Sequence, residues 1–231
     1  MFALSFYAVR DEMHTYIPYD KDVEAFNHQS KSRSLQIGCT QPTINEDRMH
    51  KHIAFIDSVT TAIADAKGDE RVKPLLLLRA VAYSAIRNFD NAIDNLSTLQ
   101  QLDSASVLAY WQRAVCQAKL NEFNASQGTN IELKSANALS DLCEAIKHAP
   151  HNPYLYYNRG CLYAQRKDYQ RALDDFSRAI QLDANLPEAY YNRGIVYLHA
   201  EKKAEGVADL SKAGELGLYD AYSIIKKYRE K

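Results

Sequence analysis

The stretch Tyr156-Tyr157-Asn158-Arg159-Gly160 decides the fold of this chain, because it returns 34 residues later as Tyr190-Tyr191-Asn192-Arg193-Gly194. The correspondence continues at the same offset, where Tyr163, Ala172, Phe176 and Ala179 match Tyr197, Gly206, Leu210 and Ala213. A fixed period of this length is the sequence signature of a helix–turn–helix repeat. The two copies, residues 153–186 and 187–220, therefore predict an all-α fold built from pairs of antiparallel helices.

Two weaker copies come before these, over residues 73–106 and 107–152, with Ala80 and Ala114 at the glycine position. The copy at 107–152 is about a dozen residues longer than the period. The excess falls near residues 124–130, whose polar residues and glycine predict a loop between the two helices. An insertion at such a turn leaves the helix packing intact, so we expect the register to recover at Ala138.

The sequence changes character at both ends of the repeats. Residues 45–67 predict a leading helix, with one apolar face formed by Met49, Ile53, Ile56, Val59 and Ile63. Residues 219–229, after Gly217, predict a capping helix that covers the last repeat. Residues 1–44 do not fit the repeat. We predict an irregular or β-containing segment there, either a hairpin of residues 34–40 with residues 3–9 or extended chain over the first helices.

Composition limits the partners of the chain and leaves its compartment open. A formal net charge of −1 over 231 residues argues against nucleic acid as the main partner. No apolar run in the sequence is long enough to span a membrane. The apolar start at residues 2–9 lacks the basic lead of a signal peptide and is more typical of an internal segment of a longer protein. The spacing of the four cysteines supports neither zinc nor disulfides and favours a reducing compartment.

The repeated residues resemble tetratricopeptide repeats, whose pattern runs Trp or Tyr, Leu, Gly, Tyr, then Ala, Phe, Ala and Pro. The resemblance covers residues 73 to the C-terminus and implies a right-handed superhelix of about four helix pairs. The chain also resembles the C-terminal part of large bacterial proteins with many such repeats, some of which are exported. Localisation in the cytoplasm or, after export, in the periplasm therefore stays open.

The resemblance further implies that the first helix of each repeat lines a concave inner wall. Its two main positions give the candidate binding residues, which are aromatic or amide side chains: Trp111, Gln112, Tyr157, Asn158, Tyr191 and Asn192. Further inward positions hold Val81, Val115, Cys161, Ile195, Gln165 and His199. Such a wall would anchor and clamp an extended peptide. Alternatively, the asparagines bond neighbouring helices. The positions that carry cations in binders of terminal carboxylates hold Pro74, Leu108, Tyr154 and Glu188, which argues against that class.

An arginine recurs at one position of every repeat, as Arg79, Arg113, Arg159 and Arg193. One interpretation is an anion-binding stripe. The interpretation we favour is packing of the arginine stems, with guanidinium groups paired to acids such as Asp174, Asp175 or Asp209.

The sequence favours a non-enzymatic scaffold that binds a protein or peptide, with self-association as a possible use and no cofactor. His148 and His151 straddle Pro150, and His50 and His52 are two residues apart, so neither pair favours a metal site. No nucleophile elbow or phosphate loop argues for an enzyme. The alternative is a structural segment of a longer solenoid with no ligand of its own.

Overall fold

The computed structural model of the chain describes residues 46–126 and 132–229. Within these two ranges every regular element is an α-helix, and ten helices occur without any strand, which confirms the all-α prediction. The predicted hairpin of residues 34–40 with residues 3–9, and its alternative of extended chain, lie outside the described residues.

The helices follow one another with short connections. In chain order they are α1 Glu46–Asp65, α2 Asp69–Ala85, α3 Phe89–Leu102, α4 Val107–Ser126, α5 Glu132–His148, α6 Pro153–Gln165, α7 Tyr169–Leu182, α8 Pro187–His199, α9 Lys203–Glu215 and α10 Asp220–Arg229. Two compact units contain them, α1 to α5 in the first and α6 to α10 in the second. None of the helices in the described ranges is long and apolar enough to cross a membrane.

In the first unit, α2 pairs with α3 and α4 with α5, while α1 packs against α2. The extra residues of the second repeat lengthen both of its helices, because α4 runs to Ser126 and α5 begins at Glu132. The loop predicted at residues 124–130 is therefore wrong at its start. The register does recover at Ala138, which is fully buried. The same repeat carries the lone tryptophan, Trp111, among the largest fully buried side chains.

In the second unit, small residues let paired helices approach closely. A Cβ atom on Gly160 would lie 2.9 Å from the ring of Phe176, so only hydrogen fits there without a shift. Gly194 of α8 and Gly206 of α9 face each other, and a Cβ on either would lie within 3.0 Å of the other's carbonyl oxygen. The close approach of the paired helices at these glycines brings the large side chains beside them into contact.

The connection between the two helices of a repeat uses one left-handed residue. Arg87, Lys167 and Glu201 have φ of 61°, 62° and 62°. The residue that follows is the N-cap of the second helix. In two of these connections its side chain, that of Asn88 or Asp168, accepts a hydrogen bond from the backbone N–H three residues further on. The same backbone turn therefore joins the paired helices in three of the repeats.

The last helix, α10, closes the second unit. Ala221 and Ile225 of α10 are buried against Tyr191 and Leu210 of the preceding pair. Gly214 of α9 contacts the ring of Tyr222 and has no room for a side chain. This apolar face accounts for the position of α10 over the end of the last repeat.

Candidate functional site

The recurring arginines pair with the second helix of their own repeat. Each donates its Nε hydrogen at 2.7 to 2.8 Å, in the pairs Arg79–Asn95, Arg113–Asp141, Arg159–Asp175 and Arg193–Asp209. The three aspartates also accept a second bond from Nη2 at 2.7 to 2.9 Å. The spacing is 16 residues except for Arg113–Asp141, where it is 28 because of the insertion. These pairs confirm the structural interpretation of the ladder.

Three acids were predicted from the sequence to pair with the recurring arginines. Asp175 and Asp209 do so, with Arg159 and Arg193, while Asp174 does not. Asp174 is exposed and accepts a hydrogen bond from Gln170 instead. Burial raises the pKa of Asp175, and the hydrogen bond from Arg159 opposes that rise. Desolvation and ion pairing therefore act in opposite directions on this carboxylate, as is common for buried ion pairs.

The arginines also connect successive repeats, through a contact that the sequence analysis missed. Arg113 and Arg193 donate from Nη1 to the hydroxyl groups of Ser97 and Ser177, in the second helix of the preceding repeat, at 3.1 and 3.0 Å. Each serine lies 16 residues before its arginine. That constant spacing is the signal from which the contact could have been predicted.

Tyrosine rings flank the same guanidinium groups. Arg159 lies over the rings of Tyr156 and Tyr163, 5.7 and 6.0 Å from their centroids. Arg193 repeats the arrangement with Tyr190 and Tyr197. In both repeats, therefore, the two tyrosines and the arginine pack against one another. Cation–π attraction adds to the ion pair that each arginine makes with its aspartate.

The predicted binding residues are mostly buried. Exposure is between 1% and 6% for five of them, namely Trp111, Tyr157, Asn158, Tyr191 and Asn192. Gln112 is half-buried. Rings and amides buried to this degree offer little surface to a partner. Their role in binding stays a prediction. With this burial, we expect them to support the residues that contact a partner and not to contact it themselves.

Two of these residues meet between the first helices of the second unit. The amide Nδ2 of Asn192 donates to the hydroxyl of Tyr157 at 3.0 Å and to Sγ of Cys161 at 3.3 Å. This is the helix-bonding alternative that the sequence left open for the asparagines. The amide of Asn158 is equally buried, and neither of its polar atoms has a hydrogen-bond partner among the described residues.

Four other residues of α6 and α8 at predicted inward positions are more accessible. Tyr154 and Ile195 are half-buried, and Gln165 and His199 are exposed. The ring of His199 stacks on Tyr169, with centroids 6.1 Å apart and planes 15° apart. The accessible residues at these predicted inward positions are thus aromatic, aliphatic and amide groups. Within the described ranges, no group of three or more His, Cys, Asp or Glu residues is arranged to hold a metal ion.

Tyr191 gives this wall a measurable pH response. Burial, with a smaller contribution from the negative charge of Asp220, raises the pKa of Tyr191 to about 12 from 10.0. The unfolded chain therefore loses this proton first, so the contribution to folding stability is complete below pH 10 and is lost as the pH rises through about 12. We expect ultraviolet titration of tyrosinate to show a late step that Tyr191→Phe removes. Loss of the late step in the exposed control Tyr219→Phe, and not in Tyr191→Phe, would contradict the assignment.

The fold defines a class, that of helical repeat proteins in which pairs of helices stack through a fixed set of contacts. The comparisons agree, since the family model described as TPR repeat matches residues 160–199. That segment therefore matches a tetratricopeptide repeat, and the chain shares its fold with solved structures of such proteins.

Solved structures with the same fold are distant in sequence. A crystal structure of MamA has a TM-score of 0.61 and 20% identity, and the match covers 78% of this chain and 98% of that one. MamA 41-end from Desulfovibrio magneticus RS-1 has a TM-score of 0.60 and 14% identity, over 84% and 95%. TTC0263, a thermophilic TPR protein from Thermus thermophilus, has a TM-score of 0.59 and 19% identity, over 85% and 97%. No curated protein sequence matches the chain. At these identities the likeness shows the fold alone.

Proposed function

We propose that the protein is a non-enzymatic scaffold that binds a segment of another protein on the first-helix wall of its second unit. The observation that carries the proposal is the Asn192–Tyr157 hydrogen bond, which holds α8 beside α6. Two first helices held side by side form a continuous surface, with accessible groups along it. A rigid support under adaptable side chains reduces the entropy lost on binding.

The accessible groups indicate the kind of segment. Tyr154 and Ile195 can bury apolar side chains, and the amide of Gln165 can bond to the backbone of a peptide in an extended conformation. Glu188, at the position where binders of terminal carboxylates carry a cation, is buried and acidic. We therefore infer an internal segment of mixed apolar and polar character and not a free C-terminus.

Photo-crosslinking from single positions tests this proposal. We would place benzoylphenylalanine at Gln165 or at His199, both exposed on the wall, and at Gln181, which is exposed on the second helix α7. Crosslinking in the native cell, followed by mass spectrometry, is expected to give one shared partner from positions 165 and 199. Position 181 is expected to give none of it. A partner captured equally from all three positions, or from 181 alone, would count against the wall.

A second function has its own supporting observation. The side chain of Arg79 reaches Thr60 of α1 as Arg113 reaches Ser97 and Arg193 reaches Ser177. The leading helix therefore occupies the position of a second helix, which favours a segment of a longer solenoid. Further 34-residue units encoded upstream in the native gene would favour this function, and the crosslinking experiment would then find no separate partner on the wall.

A further inference from the structure

The last helix of the second unit, α10, stands in the place of a first helix. Leu218 and Ala221 have exposed fractions of 3% and 0%, and Leu186 and Ala189, which lie 32 residues earlier, have fractions of 4% and 0%. Each of the two alanines lies in a cluster with buried residues of the preceding second helix, α9 for Ala221 and α7 for Ala189. These two pairs of residues therefore align α10 with α8.

The alignment shows that α10 is not built to receive a second helix as the other first helices do. Lys226 lies where α8 has Gly194, the residue at which α9 comes into close contact. The other first helices have alanine or glycine at this position, as Ala80, Ala114 and Gly160. A lysine side chain prevents the close approach that those small residues allow. A continued repeat is therefore not the occupant that α10 favours.

The exposed side of α10 carries aromatic rings, a small residue and charges. Tyr219, just before the helix, and Tyr222 are 71% and 46% exposed, and they are the two exposed large apolar side chains in the described part of the second unit. Ser223 and Lys227 are also exposed, and Asp220 is half-buried. With 3.6 residues per turn, Asp220 and Lys227 share one edge of this side, and the two rings lie toward the other edge.

We propose that this side of α10 binds the same side of α10 in a second copy of the chain, with the two helices antiparallel about a two-fold axis at Ser223. Asp220 lies three residues before Ser223, and Lys227 lies four residues after it. At a rise of 1.5 Å per residue, Asp220 therefore comes to within about 1.5 Å of the height of Lys227 of the partner subunit. The two-fold axis repeats this ion pair, so the contact contains it twice.

The distribution of charge along α10 favours a second copy in this orientation. The helix begins with Asp220 and carries Lys227 near its end, so opposite charges meet only when two copies run antiparallel. Ser223 is small enough to let the helices approach at the axis, and the rings of Tyr219 and Tyr222 supply apolar surface to bury beside it. The contact uses α10 alone and is independent of the peptide binding proposed for α6 and α8.

Disulfide formation at the two-fold axis tests the proposal, because a residue on the axis faces its own copy. Ser223→Cys is expected to form a disulfide-linked dimer about tenfold faster on mild oxidation than Ser140→Cys, which puts the thiol at an exposed serine of α5. Non-reducing electrophoresis measures the rates, and the unaltered chain gives the background from the native cysteines. Equal rates for the two variants would overturn the proposal.

Reversal of the charges gives a second measurement, by sedimentation velocity over a range of concentrations. The unaltered chain is expected to approach twice its monomer mass, and Asp220→Lys or Lys227→Asp alone to weaken this association about tenfold, because like charges then meet twice. An equimolar mixture of the two variants is expected to restore the dimer, since opposite charges meet again between the two kinds of chain. Circular dichroism checks that each variant keeps its helical content.

Two outcomes of this measurement would refute the dimer. One is an unaltered chain that stays monomeric at every concentration, which would leave the exposed side of α10 to a different partner. The other is a mixture that associates no better than either variant alone, which would show that Asp220 does not meet Lys227 of the partner subunit.

Discussion

Replacing Asp175 with alanine is expected to lower the free energy of unfolding by about 3 to 5 kcal/mol, the usual cost of leaving one member of a buried ion pair alone. The Asp175 side chain is 8% exposed and accepts two hydrogen bonds from Arg159, each at 2.8 Å. Without it, a guanidinium that is 20% exposed loses its counter-charge and two of its acceptors. Urea denaturation followed by circular dichroism measures the loss.

The neighbouring residue provides a matched control for this prediction. Asp174 is exposed on the same helix and bears the same charge, so Asp174→Ala is expected to change stability by less than about 0.5 kcal/mol. Replacing both partners, as Arg159→Met with Asp175→Leu, is expected to recover most of the loss, because burial already raises the pKa of Asp175 and desolvation opposes the pair. Equal effects of Asp174→Ala and Asp175→Ala would show that the pair does not matter.

Phe176→Ala is the second change with a large expected effect, a loss of about 3 to 5 kcal/mol in the free energy of unfolding. Phe176 has no exposed surface and packs between Gly160 and the ring of Tyr157, whose centroid is 5.9 Å away. Its removal leaves a cavity that paired helices cannot close without breaking the contacts of Arg159 beside it. Urea denaturation of the variant, compared with Phe176→Leu, measures the cost.

The other repeats supply the control for Phe176. They carry leucine at this position, as Leu96, Leu142 and Leu210, so Phe176→Leu is expected to cost less than about 1.5 kcal/mol. Gly160→Ala forces a Cβ against the Phe176 ring, but combined with Phe176→Leu it reproduces the pairing of Ala80 with Leu96 and should be tolerated. A Phe176→Ala variant no less stable than Phe176→Leu would contradict the packing argument.

The buried wall shows where prediction from sequence stops. The period identified the inward positions, and the structure does bring Tyr157 and Asn192 together. Yet the repeated pattern could not distinguish an exposed tyrosine ring from a buried one, because tyrosine occurs in both environments. Exposure depends on how closely the surrounding helices approach one another. The approach of α8 and α9, for example, is set by the contact of Gly194 with Gly206, which the repeated pattern alone does not specify.

The sequence by itself determined the helical pairs, their period and the arginine ladder. These follow from local spacing, because residues 34 apart repeat the same contacts and the same turn. Only the tertiary structure decided that the asparagine of one repeat bonds to the tyrosine of another, and that five of the predicted binding residues are buried. Both depend on which helix covers which face, because burial is a property of neighbours in space that a repeated pattern leaves undetermined.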